Sequence, residues 1–284
     1  SDAHENTVRE NAFEENKKVL LEQSKATIRR GKKASPGRSE TQSWSMNIKY
    51  VLCDGTFVDA NNQVQNKSFI RNYVTDQMLA AQTEALNSAF SGQDSCAGGT
   101  SYSTQQVNTG LQFVSLGRQE INSEFCNYDC FQSRPNFYQI VPLELGVTKV
   151  LICDTSLLGF ASFPYWPDQW RMLIVHPGTL PGGYVTNYNF GDTLTHEMGH
   201  YLGLQHTSTG GCSDGDMVGD TSPEAYAYFG CSSTPRRTCS ATLEDPIHNF
   251  MDYADDQCMC SFTQGQVQEM WYELSLYRPE LLPP

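Results

Sequence analysis

The chain has 284 residues, with 19 Lys and Arg against 32 Asp and Glu, a formal net charge of −13 and a pI near 4.8. Hydrophobic residues make up 39% and mean hydropathy is −0.47, enough apolar side chain for a sizeable core. No stretch approaches the roughly 18 consecutive apolar residues of a membrane-spanning helix, and the acidity argues against sequence-independent nucleic-acid binding.

The charge is uneven. Residues 1–40 hold nine Lys and Arg against seven Asp and Glu, whereas the remaining 244 residues hold ten against 25. This divides the chain into a basic N-terminal arm, 1–40, and an acidic body, 41–284. In the arm, residues 12–30 carry Phe13, Val19, Leu20, Leu21 and Ile28 among many charges, the pattern of a solvated helix, and residues 31–37 read as a linker. The pairs Arg29-Arg30 and Lys32-Lys33 suit either processing sites of an activation prosegment or an exposed basic helix end. The chain starts Ser1-Asp2-Ala3-His4 with no Met and no apolar leader, so a signal peptide is expected to be already absent.

The body is expected to open on a strand over residues 46–52. A 3.6-residue period through Met78, Leu79, Leu86 and Phe90 predicts a helix over 75–90, with Thr75 or Asp76 as N-cap. Residues 111–116, 147–152 and 172–175 read as strands. Helices are predicted over about 192–204 and 263–278, the second capped by Thr263 and stopped before Pro279. Some 58 residues between these helices are rich in Cys, Asp, Gly and Ser with little periodicity. So long an irregular span calls for disulfides or metal ions to order it.

Ten cysteines, at 53, 96, 126, 130, 153, 212, 231, 239, 258 and 260, all lie in the body. Their even number suits up to five disulfides in an oxidising compartment, and the sequon Asn66-Lys67-Ser68 fits the same address. A secreted, extracellular protein is expected.

The run His196-Glu197-Met198-Gly199-His200-Tyr201-Leu202-Gly203-Leu204-Gln205-His206 carries the chemistry. Histidines four apart on a helix share one face, so His196 and His200 can reach a single ion, and neutral imidazole suits zinc. Glu197 follows the first ligand and can hold a water beside the metal. A straight helix would not deliver His206 to the same ion. Gly203 tolerates positive φ and lets the chain turn back. Three protein ligands leave the fourth zinc position open, as catalysis requires.

This run resembles the extended zinc motif of the metzincin clan, and Asn249-Phe250-Met251-Asp252-Tyr253 resembles the clan's Met-turn. Within the clan the pattern is similar to the pappalysin family. The resembling pieces are Leu158-Gly159-Phe160-Ala161-Ser162-Phe163-Pro164, Leu180-Pro181-Gly182-Gly183, Gly191-Asp192-Thr193-Leu194-Thr195, Gly210-Gly211-Cys212, Gly215-Asp216-Met217-Val218-Gly219-Asp220-Thr221, and Asp255-Asp256-Gln257-Cys258. Phe262-Thr263-Gln264-Gly265-Gln266 follows, and residues 76–90 resemble the family's backing helix, so the likeness covers roughly 44–278 in order.

The resemblance implies that His196, His200 and His206 bind one catalytic zinc and that Glu197 is general base, then general acid. Tyr253 falls where related enzymes steady the oxyanion with a tyrosine; a packed core tyrosine is the alternative. Residues 158–163 resemble the edge strand that pairs with an extended protein or peptide substrate. Asp216, Asp220, Thr221 and Glu224 offer oxygen ligands where family members bind calcium, although Thr221-Ser222-Pro223 is one residue longer than the family pattern. The family's pairings would join Cys212 to Cys239 and Cys231 to Cys258, leaving Cys260 and the five upstream cysteines unassigned. No cysteine precedes Cys53, so the arm holds no thiolate to silence the zinc; Asp2, His4 or a glutamate there could do so. Asp252, Asp255 or Asp256, if facing the primed-side pocket, would favour Arg or Lys after the cut. His176 and His248 fit no ligand spacing.

The expected fold is α/β: a twisted mixed sheet with a backing helix and the zinc helix above the cleft, over an irregular, disulfide-tied lower half that ends in a helix. The expected function is a secreted zinc endopeptidase, a monomer by default with no nucleic-acid or membrane partner. The alternatives are a non-catalytic zinc-containing binding module of the same fold, disfavoured by the presence of Glu197, and a metallohydrolase acting on a non-peptide ester or amide.

Overall fold

The computed structural model describes residues 43–58, 64–66, 68–94, 107–127 and 129–282. The arm, its expected helix and linker, and the sequon's Lys67 lie outside the described residues.

Strand β1 (Trp44–Asp54) is an inner strand of a five-stranded sheet. Two short strands follow, β2 (Thr56–Val58) and β3 (Val64–Asn66), which pair antiparallel. After helices α1 (Phe69–Tyr73) and α2 (Asp76–Ser91) come β4 (Leu111–Asn122), α3 (Cys130–Ile140), β5 (Val147–Ile152), β6 (Gly159–Ala161) and β7 (Leu173–Val175). The sheet order is β4-β1-β5-β7-β6, all neighbours parallel except the edge strand β6, which runs antiparallel to β7. Strands β1 and β5 read as near-continuous apolar runs because both faces are covered. Ile48, Tyr50 and Leu52 face the main core, while Val51 and Cys53 face a second cluster with Phe137 of α3.

Helix α2 buries Leu79, Leu86, Ala89 and Phe90 against the main core. Thr75 caps it by accepting from the Met78 amide at 3.1 Å, and Gly92 ends it at φ +68°. Strand β4 runs six residues beyond the expected end. Its last part is polar and exposed, and it is extended by its register with β1, from Tyr50↔Arg118 to Asp54↔Asn122.

Helix α3 is absent from the sequence expectation because Pro135 sits inside it. A proline lacks the N–H that would reach the carbonyl four residues earlier, and here the Arg134 guanidinium donates to that carbonyl, of Phe131, at 2.7 Å. The helix starts at Asp129, whose side chain accepts from the Phe131 amide.

Helix α4 (Asp192–Tyr201) leads into the lower part, with α5 (Gly211–Asp214) and the two-residue strands β8 (Phe229–Gly230) and β9 (Tyr253–Ala254). Helix α6 (Gln264–Tyr277) closes the body with a capping box formed by Thr263 and Gln266. Disulfides Cys212–Cys239 and Cys231–Cys258 tie the lower part, and Cys53–Cys126 and Cys130–Cys153 tie the upper. Cys260 is also disulfide-bonded, and Cys96 lies outside the described residues. Disulfides supply part of the order that periodicity lacks in the lower span.

Candidate metal centre and active site

Every residue of α4 is buried, so the helix is seated before any ligand is considered. Its N-terminus is held by the Asp256 carboxylate, which accepts from the amides of Phe190 at 2.8 Å and Asp192 at 3.4 Å, a negative charge at the positive end of the helix dipole. From the backing helix, Gln82 Nε2 donates to the Gly191 carbonyl at 2.9 Å.

At the other end the chain turns through a Schellman motif. Gly203 N–H donates to the His200 carbonyl and Leu204 N–H to the Gly199 carbonyl, each at 2.9 Å, with Gly203 at φ +108°. The helix therefore stops at Tyr201, three residues before the expected end, and the turn returns His206 toward His196 and His200. A β-carbon on Gly203 would also collide with Glu273 of α6, so the turn is packed as well as bent.

The three imidazoles converge. His206 Nε2 lies 2.8 Å from His200 Nε2 and 3.1 Å from His196 Nε2. His196 Nδ1 is 2.7 Å from the Phe250 carbonyl, and His200 Nδ1 is 2.7 Å from the Leu204 carbonyl. A carbonyl only accepts, so both Nδ1 atoms must be donors, and both Nε2 atoms present bare lone pairs to the shared point. Burial pushes His196 down to about 4 and His206 to about 3; burial, with the neighbouring histidines, also holds His200 well below the usual range. All three rings are thus neutral at pH 7. The bare lone pairs of His196 and His200 point at one place, and a divalent cation there would be held by them together with His206. All-nitrogen donors of this kind fit zinc. Among the described residues this is the one cluster of three or more His, Cys, Asp or Glu ligand atoms.

Met251 lies beneath the site. A β-carbon on Gly199 would collide with its sulfur, and its carbonyl accepts from the Thr207 amide at 3.2 Å, one residue beyond His206. Glu197 is 7% exposed, and burial pushes its carboxyl up to about 8. Its side chain lies against edge strand β6: a β-carbon on Gly159 would sit 2.8 Å from Glu197 Oε1. Tyr253 brings its hydroxyl 2.9 Å from His206 Nε2, and burial raises it to about 12, so it stays a proton donor.

The four oxygen groups considered for calcium each have neighbours within the protein, and Asp216 and Thr221 lie beside one another. Asp220 accepts from Thr263 Oγ1 and the Gly265 amide, serving the start of α6. Glu224 accepts from Thr207 and faces Arg236. Asp216 accepts from the Val218 amide and lies 3.5 Å from Gln266 Nε2, and Thr221 is buried. The acidic residues offered as a wall favouring Arg or Lys lie inside the fold. Asp252 accepts from the Tyr228 amide and is 1% exposed, Asp256 caps α4, and Asp255 is buried. All three carboxylates are buried. His248 faces the Cys258 carbonyl and His176 accepts from the Gly178 amide, away from the triad. Sequence reasoning missed Phe229, which stacks on Tyr253; a lone exposed aromatic in an irregular span gives no local signal.

Residues 153–275 match the Peptidase_M43 family model, described as pregnancy-associated plasma protein-A. An extracellular metalloprotease of Neurospora crassa is 53% identical over 219 residues, covering 72% of this chain and 70% of that protein. One of Arthroderma benhamiae is 36% identical over 204 residues, covering 69% and 70%. The fold is shared with mature mirolysin of Tannerella forsythia, solved with a cleaved peptide, at TM-score 0.66 and 21% identity over 86% of this chain and all of that one. A promirolysin mutant superposes at TM-score 0.74 and 20% identity, over 95% of this chain and 92% of that one. With its histidine triad, the matching family model and a relative more than half identical, the chain belongs to the M43 (pappalysin) family of metzincin metallopeptidases.

Proposed function

We propose that the chain is a secreted zinc endopeptidase that cuts internal peptide bonds of proteins bound in extended form. The carrying observation is the convergence of three neutral imidazoles beside a buried carboxylate and an edge strand. His196, His200 and His206 would hold the zinc, which when bound supplies Lewis acidity to the water and the scissile carbonyl it meets.

The remaining work falls to side chains. In its buried setting Glu197 would keep its proton at neutral pH; a nearby dication favours the carboxylate and makes it a base. Glu197 takes the proton of the attacking water and delivers it to the leaving amine. Tyr253 donates its hydroxyl to the tetrahedral oxyanion. The outer edge of β6, last in the sheet order, offers backbone groups to an extended peptide, which gives affinity tolerant of sequence. The Neurospora and Arthroderma relatives, named extracellular metalloproteases, and the disulfides support an extracellular setting. We take residues 1–40 as an arm removed or displaced on activation; an active enzyme that retains Ser1 and needs no displacement would refute this.

The test is digestion of a denatured protein with and without a chelator, the released peptides being read by mass spectrometry. Chelator-sensitive internal cuts support the proposal; cuts that persist with the metal stripped would overturn it.

A further inference from the structure

Tyr253 is 37% exposed, and a side chain that open has room to leave the metal site by rotating about χ1. Its inner face rests on His196, ring centroids 5.5 Å apart, and on His206 at 4.7 Å. Its outer face is covered by Phe229, at 5.4 Å with planes within 5°, an offset parallel stack. The tyrosine ring thus contacts both ligand imidazoles and the Phe229 phenyl ring.

Phe229 itself is 67% exposed, so its burial contributes little to the core. Yet its backbone is closely tethered. Strand β8 pairs Phe229 with Tyr253 and Gly230 with Ala254. The Tyr228 amide donates to Asp252 Oδ1 at 2.9 Å, and the Asp255 amide donates to the Gly230 carbonyl at 3.0 Å. Gly230 adopts φ +95°, and the next residue is bonded through Cys231–Cys258. All of these ties end on residues 252–258, the stretch that carries Tyr253. They locate Phe229 relative to that tyrosine.

We propose that Phe229 is a positioning residue for peptide hydrolysis: it clamps the Tyr253 ring against the ligand imidazoles, keeping the hydroxyl where the oxyanion forms. This rests on the role of Tyr253 proposed above. A phenyl ring suits the task because it restricts rotation by stacking while bringing no charge or hydrogen-bonding group to compete for the phenol.

The test is a double-mutant cycle on the zinc-loaded enzyme with one peptide substrate, measuring kcat and KM for the parent, Phe229→Ala, Tyr253→Phe and the double variant, with Phe229→Tyr as conservative rescue. Phe229→Ala is expected to lower kcat by about three- to tenfold, with KM within about twofold, the range an aromatic stack supplies. In the Tyr253→Phe background the same change should cost nothing further, and Phe229→Tyr should keep kcat within about twofold of the parent. A thermal midpoint for each variant, with Phe229→Leu as a milder substitute, separates these effects from misfolding. An undiminished Phe229→Ala loss in the Tyr253→Phe background, a loss confined to KM, or no loss would overturn the inference while leaving the role of Tyr253 intact. An unchanged kcat in Tyr253→Phe would overturn both.

Discussion

Gly203→Ala places a methyl group at the pivot that returns His206 to the other two imidazoles. Two costs arise there. The residue sits at φ +108°, where a non-glycine residue costs about 1–3 kcal/mol. The new β-carbon would lie 2.5 Å from Glu273 Cγ and 2.8 Å from Glu273 Cβ, and overpacking of this kind costs about another 1–3 kcal/mol. Together that is about 2–6 kcal/mol, or a fall in Tm of about 4–24 °C for a body of this size. The strain can be relieved by shifting residues 203–206, which displaces His206, so zinc affinity should fall as well. The assay pairs thermal unfolding of the metal-free protein with competitive zinc titration. Adding Glu273→Ala removes the 2.5 Å contact with Cγ but neither the Cβ contact nor the φ strain, and should recover part of the Tm. A Gly203→Ala protein with parental Tm and parental zinc affinity would refute the account of the turn.

The buried carboxyls make further predictions. Glu273 is 3% exposed and burial pushes it up to about 8, so the native state holds a proton that the unfolded chain releases above about 4.5. Its contribution is full at low pH and is lost as pH rises through about 8, so the Tm advantage of Glu273→Gln over the parent should widen between pH 5 and pH 9; a constant gap would refute it. The histidines run the other way. With folded values of about 4 and 3 against 6.5 for the free side chain, His196 and His206 should destabilise the metal-free protein as pH falls below about 6.5, an effect that disappears from the Tm profile of a His206→Gln variant in proportion. Replacing Cys231 and Cys258 together by serine opens a loop with a sequence separation of 27, and unfolding in urea should show a loss of about 3–4 kcal/mol. Gly159→Val should press on Glu197 and lower kcat with zinc content unchanged; an unaffected kcat would detach β6 from the site.

What could be read from residues alone was what sits close together in the chain. The zinc motif spans eleven residues, so helix spacing and one glycine sufficed to bring three imidazoles together. Helices α2 and α6 announced themselves by period and by Thr75 and Thr263 as caps. The misses have two physical causes: partners far apart in sequence, and a side chain that replaces a lost backbone bond. The polar end of β4 is a strand only because β1 pairs with it, and α3 hides behind Pro135 because Arg134 takes over the orphaned carbonyl. Asp256 looks like a specificity determinant beside Met251, yet it serves the amides of Phe190 and Asp192, more than sixty residues upstream. Asp220, offered as a calcium ligand, also accepts from Thr263 and the Gly265 amide at the start of α6. An acidic residue in an irregular span has many uses, and only the fold selects among them.

Zinc content and peptide cleavage, measured together on the parent, Glu197→Ala and His206→Ala, test the central claim most directly. The account predicts one zinc and internal cleavage for the parent, one zinc but cleavage lowered by at least about 10²-fold for Glu197→Ala, and weakened zinc binding for His206→Ala. A Glu197→Ala protein that still cuts at the parental rate, or a His206→Ala protein that holds zinc as tightly as the parent, would contradict it.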